Sequence, residues 1–340
     1  MFSTGAASPR VRGVVGGLWF VYDFNQGGRG DGPRAYMAER VVTKNPAPEH
    51  RFGGLWTVEK LEVIRKYLLA YAQVLKRKQL TRLYIDAFAG TGDRATERCS
   101  EQALFELPEL DSMTKGSARV ALEIEPPFHE YIFIEKSRKH ASALELLKSE
   151  YPTRNIKIFN EDANDAIQRI CRERDWRINR AVLFLDPYGM QVSWETLRAA
   201  AATKAMDVWV LFPSGMGMNR LITNSGAIPA EWQETLDRFL GCSDWRDHFY
   251  RVTETTNLFG ETTTDVVKEA DTKKFEQFFL DRLRSIFTAV APESVPLVNG
   301  RGQIMYLLCF ACGNSRGAAI AVRIARSVIR GSVMKKRRRR

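Results

Sequence analysis

The chain has 340 residues, 44% hydrophobic and 27% charged, with a net charge of +11, long enough for one large or two ordinary domains and a sizeable core. No run approaches the roughly 20 apolar residues that a bilayer-spanning helix needs. Five widely spaced cysteines, an odd number, argue against a disulfide framework and for a reducing, cytoplasmic setting.

Residues 1–50 hold eight of the 24 glycines and four of the 13 prolines and follow no period of 2 or 3.6, so they read as a disordered extension. Order begins with "FGGLWTVEKLEVIRKYLLAYAQVLKRK". Thr57 is the expected N-cap, Glu59 suits the first turn, and Leu61, Ile64, Leu68, Tyr71, Ala72 and Leu75 recur at helical spacing. Five short runs follow: "LYIDAF" (83–88), "YIFIE" (131–135), "IKIFN" (156–160), "AVLFLD" (181–186) and "DVWVLF" (207–212). Each is rich in branched and aromatic residues and apolar on both faces, the pattern of a parallel sheet covered by helices. "ARVALEI" (118–124) reads as an extra strand. Helical stretches at 164–174 and 194–204 alternate with the strands, so residues 51–214 are predicted to form a doubly wound, Rossmann-like α/β core. Residues 215–300 read as a mostly helical insertion. "QIMYLLCFACG" (303–313) returns to the sheet as a late strand followed by a helix, within 301–330, and 331–340 form a basic, disordered tail.

That tail dominates the charge. Lys335 to Arg340 carry six of the eleven net positive charges and residues 1–50 two, which leaves the rest of the chain nearly balanced. A terminus of this kind is a solvated tail or an attractor of phosphate.

Chemistry-bearing residues cluster where strands end. "YIDAFAGTGDR" (84–94) is a strand ending in Asp86, then a loop with Gly90 and Gly92 that lets a ligand approach the backbone. "YIFIEKS" ends the next core strand in Glu135, an acid able to accept hydrogen bonds from ribose hydroxyls. Asp162, in "FNEDAND", follows the third strand and can meet an adenine amino group. Glu135 lies well beyond the roughly 20 residues expected after the glycines of a dinucleotide fingerprint, which disfavours NAD. "AVLFLDPYGMQV" then places Asp186, Pro187 and Tyr188 where a buried strand runs out. Asp186 and the Pro187 carbonyl can accept from an amino group, and Tyr188 can stack on a ring. The alternative is a plain Asp-Pro turn. In "FPSGMGMNRL", Gly215 and Gly217 can admit a substrate backbone and Asn219 or Arg220 can bind phosphate or amide; the loop reads equally as a glycine-rich connection. Cys309 and Cys312 form a Cys-x-x-Cys inside an apolar strand with no second pair, and the four histidines are scattered, so no metal is expected.

In order, Asp-x-Phe-x-Gly-x-Gly, Glu, Asp-Ala and Asp-Pro-Tyr resemble class I S-adenosylmethionine-dependent methyltransferases, the last motif being similar to that of enzymes methylating amino nitrogens of bases. The resemblance implies that Asp86, Phe88, Gly90 and Gly92 line the methionine end of the cofactor. Glu135 would hold its ribose, and Asp162 and Ala163 its adenine. Over a longer span the chain resembles the three-Cys-motif partner (TcmP) family, through "FGGLWT" (52–57), "YIDAFAGTG" (84–92), "PPFHEYIFIE" (126–135), "VLFLDPYGMQVSWETL" (182–197), "DVWVLFPSGMGMNRL" (207–221) and "MYLLCFA" (305–311). That resemblance implies a partner with a three-cysteine motif, similar to radical S-adenosylmethionine proteins. It leaves two functions open: a methyltransferase acting on an amino group, with nucleic acid the favoured substrate, or a non-catalytic accessory protein.

Overall fold

The structure is a computed structural model that describes residues 11–15, 18–22, 54–91, 116–256 and 262–337. Two units separate, residues 1–50 and 51–340. In the first, β1 (Val11–Val15) pairs antiparallel with β2 (Leu18–Tyr22), so the disorder expected for this segment does not extend to the ribbon; its other residues lie outside the described ones.

The second unit is a mixed, mainly parallel sheet between two helical layers. Its elements run α1 (Gly54–Val74), β3 (Thr81–Asp86), α2 (Ser117–Leu122), β4 (Glu130–Ile134), α3 (Arg138–Glu150), β5 (Ile156–Phe159), α4 (Ala163–Glu173), β6 (Asn179–Leu185), α5 (Trp194–Ala202) and β7 (Met206–Phe212). A π-helical turn (Ser214–Met218) and α6 (Asn219–Leu221) lead to α7 (Ala230–Leu240), α8 (Trp245–Phe249), β8 (Tyr250–Thr256), β9 (Thr262–Lys268) and α9 (Thr272–Ile286). The chain closes with β10 (Ala289–Val290), β11 (Val295–Val298), β12 (Ile304–Cys312) and α10 (Ala318–Arg337).

The sheet order is β10-β12-β7-β6-β3-β4-β5, with β11 also pairing β12. Strands β3 to β7 are parallel where they pair, and β12 enters antiparallel to β7, so the expected doubly wound fold with a returning last strand is what forms. Period-2 alternation explains the two cores. Leu83, Ile85, Leu183, Leu185, Val208 and Val210 face α4, α5, α7 and α9, while Tyr84, Val182, Phe184, Trp209 and Leu211 face α1, α2, α3 and α10. Cys309 and Cys312, three apart on β12, fall on opposite faces for the same reason, and both are buried free thiols. Helix starts follow side-chain caps: Ser137, Asp162, Ser193 and Asp271 each accept from a backbone N–H of the first turn.

Four expectations are corrected. Thr57 does not cap α1; it lies inside a helix that already includes Gly54, and is fully buried. "ARVALEI" is not a strand but largely α2, because Ala118, Ala121 and Leu122 fall on one helical face that packs beside α1. The segment 215–300 is less helical than expected: β8 and β9 form a separate ribbon, and β10 and β11 belong to the main sheet. Their short, interrupted runs carry little periodic signal. The tail 331–340 is helical as far as Arg337, since Ile329 and Ser332 are still buried and hold the last turns down; residues 338–340 lie outside the described ones. Among the described residues, no helix is long and apolar enough to cross a membrane, and no cluster of metal-ligating side chains occurs.

Candidate functional site

Strand succession reverses between β3 and β6. The chain moves from β3 outward through β4 to β5, then crosses back to lay β6 on the other side of β3. At such a switch point the loops beyond the two strand ends part and leave a crevice. Asp86 ends β3, Glu135 follows β4, and Asp186 follows β6, so the topology brings three of the predicted acids to one edge.

On the β3–β4 side, Glu135 acts as a clasp. Its Oε2 accepts from the Gly90 N–H at 3.0 Å and its Oε1 from the Ser137 N–H at 2.8 Å, which ties the glycine loop to the neighbouring strand end. Gly90 has φ +60°, and among the described residues a Cβ there would find nothing within 4 Å, so its backbone is bare toward them. That is the cradle an adenosyl cofactor's approach to a loop backbone requires. Asp162 caps α4, accepting from Asn164 N–H at 2.9 Å, and its other oxygen lies 3.6 Å from Lys136 Nζ; Ala163 is buried in the first turn. Phe88 packs on the core edge. Gly92 lies outside the described residues.

Asp86 itself is fully buried. Tyr84 OH donates to it at 3.3 Å and Phe88 N–H at 3.4 Å. Burial pushes its carboxyl up to about 7 and the charge of Asp186 adds to that, against the lowering effect of bonds from Ser117, Phe88 and Tyr84. It organises the loop from inside.

On the β6 side, Asp186 is partly exposed, Pro187 is buried, and Tyr188 is 52% exposed, its N–H donating to Gln191 Oε1 at 3.2 Å. Gly189 takes the left-handed conformation, φ +66°, that turns the chain away. Sequence reasoning missed the principal partner. Lys60 of α1 is 2% exposed, and its ammonium makes a short ion pair with Asp186 while lying 5.1 Å from the Trp56 ring centroid. Trp56 in turn stacks on Tyr306 of β12, centroids 5.3 Å apart. Burial pushes the Tyr306 hydroxyl up to about 12, with the charges of Asp186 and Tyr188 contributing. The signal for Lys60 was available: it occupies the apolar stripe of α1, one turn before Ile64 and one after Trp56, where an unpaired charge is not tolerated.

The loop after β7 has a different character from either side. A Cβ on Gly215 would sit 2.0 Å from the Ile304 carbonyl oxygen, and one on Gly217 would sit 2.9 Å from Pro213, so both glycines serve close packing against the chain itself. Asn219 and Arg220 are exposed on α6, and Asn219 Oδ1 accepts from Lys268 Nζ at 3.3 Å.

No protein-family model matches the chain, the three-Cys-motif partner family included, and no curated protein matches it. The fold is similar to a Legionella pneumophila protein of known structure, at 16% identity and TM-score 0.36 over 68% of this chain and 92% of that one. It is similar to an S-adenosylmethionine-dependent methyltransferase from Clostridium acetobutylicum, at 8% identity and TM-score 0.32 over 74% and 91%. It is also similar to an O-methyltransferase from Bacillus cereus in complex with SAH, at 11% identity and TM-score 0.30 over 61% and 80%. Superpositions this loose carry nothing about function; the topology and the site do.

Proposed function

We propose that this chain is an S-adenosylmethionine-dependent methyltransferase acting on an amino group of a planar ring, with a nucleobase as the favoured substrate. One observation carries the reading: the switch point sets the Gly90–Glu135 clasp beside Asp186-Pro187-Tyr188. The bare backbone at Gly90 fits the cofactor, with Glu135 toward its ribose and Asp162 and Ala163 toward its adenine. When bound, that cofactor supplies an electrophilic methyl group.

The chain's own residues supply position. Lys60 holds the Asp186 carboxylate in one orientation and offsets its charge, and Asp186 with the Pro187 carbonyl accepts from the substrate NH2. The exposed ring of Tyr188 offers a flat surface to the ring that bears it, while the largely buried Trp56–Tyr306 stack backs the Lys60–Asp186 pair. Holding the amine in line is the larger part of the catalysis, since an attacking amine sheds its proton readily after transfer.

The test is calorimetric titration of S-adenosylmethionine and SAH into the full chain, followed by a methyl-transfer screen over RNA and DNA. Micromolar binding that is lost in Glu135→Ala is the expected result. Absence of binding sinks the reading and favours the accessory role beside a three-Cys-motif partner.

A further inference from the structure

A second concavity lies away from the strand ends. It is a groove of about 1000 Å³ between α10, the end of α9 and the edge strand β10. Four arginines line it: Arg284 of α9, and Arg323, Arg326 and Arg330 of α10. The three on α10 recur at spacings of three and four residues, so they form one stripe along the helix. Two of the four are already paired, Arg284 with Asp281 at 2.5 Å and Arg330 with Glu293 at 3.0 Å. For Arg323 and Arg326 no ion pair is formed among the described residues, and the Nε of Arg326 is buried with no hydrogen-bond partner. A buried donor left unbonded costs free energy that an incoming acceptor would recover. The floor is apolar, from Ala319, Val322 and Val290.

The direction of the stripe gives the groove its meaning. β12 ends at Cys312, opposite Asp207 at the start of β7 and therefore at the sheet edge remote from the site. α10 runs back from there. Near its other end Ser332 hydrogen-bonds Glu59 of α1, the residue before Lys60, whose ammonium holds Asp186. Arg323 to Ser332 is nine residues of helix, about 13 Å at 1.5 Å per residue. The stripe thus leads toward the candidate site, and the sequence beyond it, Lys335 to Arg340, is wholly basic.

We infer that the α10 groove is the track for the phosphate backbone of a single-stranded nucleic acid whose base enters the Asp186–Tyr188 site. The inference rests on the methyltransferase reading for its direction, but not for the binding itself. Guanidinium groups at helical spacing match successive phosphates, and an apolar floor suits unpaired bases.

The experiment is fluorescence anisotropy with a labelled RNA oligomer of mixed sequence over a range of salt. It compares the full chain with Arg323→Glu/Arg326→Glu and Arg323→Gln/Arg326→Gln, each checked by thermal melting and by S-adenosylmethionine titration. DNA of the same sequence, its duplex, and phosphatidylserine vesicles serve as further arms. The expected result is binding of single strands weakened at least about tenfold in both variants. The slope of log affinity against log salt should become shallower by about 0.7 per lost phosphate contact, with cofactor binding unchanged. Unchanged affinity and slope overturn the inference, as does equal or tighter binding of duplex or of vesicles. Arginine-dependent RNA binding in a chain that binds no S-adenosylmethionine supports the groove and overturns the methyltransferase reading alone.

Discussion

The ammonium of Lys60, in the first helix of the main unit, is buried against the carboxylate of Asp186 at the end of β6. A helix that covers one face of the sheet thereby sets the orientation of an acid on the rim of the crevice. Removing either partner leaves the other charge poorly solvated. Lys60→Met should therefore destabilise the chain, by less than the about 3–5 kcal/mol of a fully buried pair because Asp186 keeps 20% of its side-chain surface. Asp186→Asn alone should also cost stability, and the two together should cost less than their sum. Chemical denaturation of the double-mutant cycle checks this, and additive losses would show that the pair is not coupled.

Asp86 gives the fold a pH dependence of definite sign. Its folded pKa of about 7 lies above the ordinary 3.8, so between those values the folded chain keeps a proton that the unfolded chain has released. Its contribution is therefore most favourable below about pH 4 and is lost as pH rises toward 7, by up to about 4 kcal/mol. Asp86→Asn should remove that trend. The measurement is the unfolding free energy of both proteins from pH 4 to 8, and a constant difference between them would refute the assignment.

Gly90 offers a test that separates folding from the proposed cofactor binding. Its φ of +60° strains any side chain, yet among the described residues no atom lies near enough to clash with a Cβ. Gly90→Ala should cost about 1–2 kcal/mol of stability and still fold. Affinity for S-adenosylmethionine, read by calorimetry, should fall far more than that strain accounts for.

Tyr188 is exposed enough that Tyr188→Ala should shift stability by only about 0.5 kcal/mol or less. Methyl transfer should drop steeply while cofactor binding holds, and Tyr188→Phe, which keeps the ring, should restore most of it. Equal losses in both variants would point to the hydroxyl instead of the ring face.

The alternation of apolar runs and helical stretches made the sheet readable, because strands buried on both faces need unbroken apolar sequence: "AVLFLD" became β6 and "DVWVLF" became β7. The acids at the strand ends were readable for a related reason, since polar residues stand out where such a run stops. A charge in the apolar stripe of α1 marked Lys60, but its pairing with Asp186 and the Trp56–Tyr306 stack were not legible, because these meetings depend on how α1 and β12 dock against the sheet, and helical or strand periodicity describes each element separately. The Arg323–Arg330 stripe escaped notice within an amphipathic helix, where arginines read as a solvated face until the neighbouring strand edge turns that face into a groove.

The aromatic wall has a consequence for how the protein is made. Trp56 and Lys60 emerge from the ribosome early, the Gly90–Glu135 clasp soon after, and Tyr306 only with the last strand. A nascent or prematurely terminated chain lacking β12 carries the residues of the clasp but neither the ring that stacks on Trp56 nor the antiparallel strand that pairs with β7. Synthesis therefore supplies the clasp residues well before Tyr306, and the aromatic stack on Trp56 closes only when the chain is nearly finished.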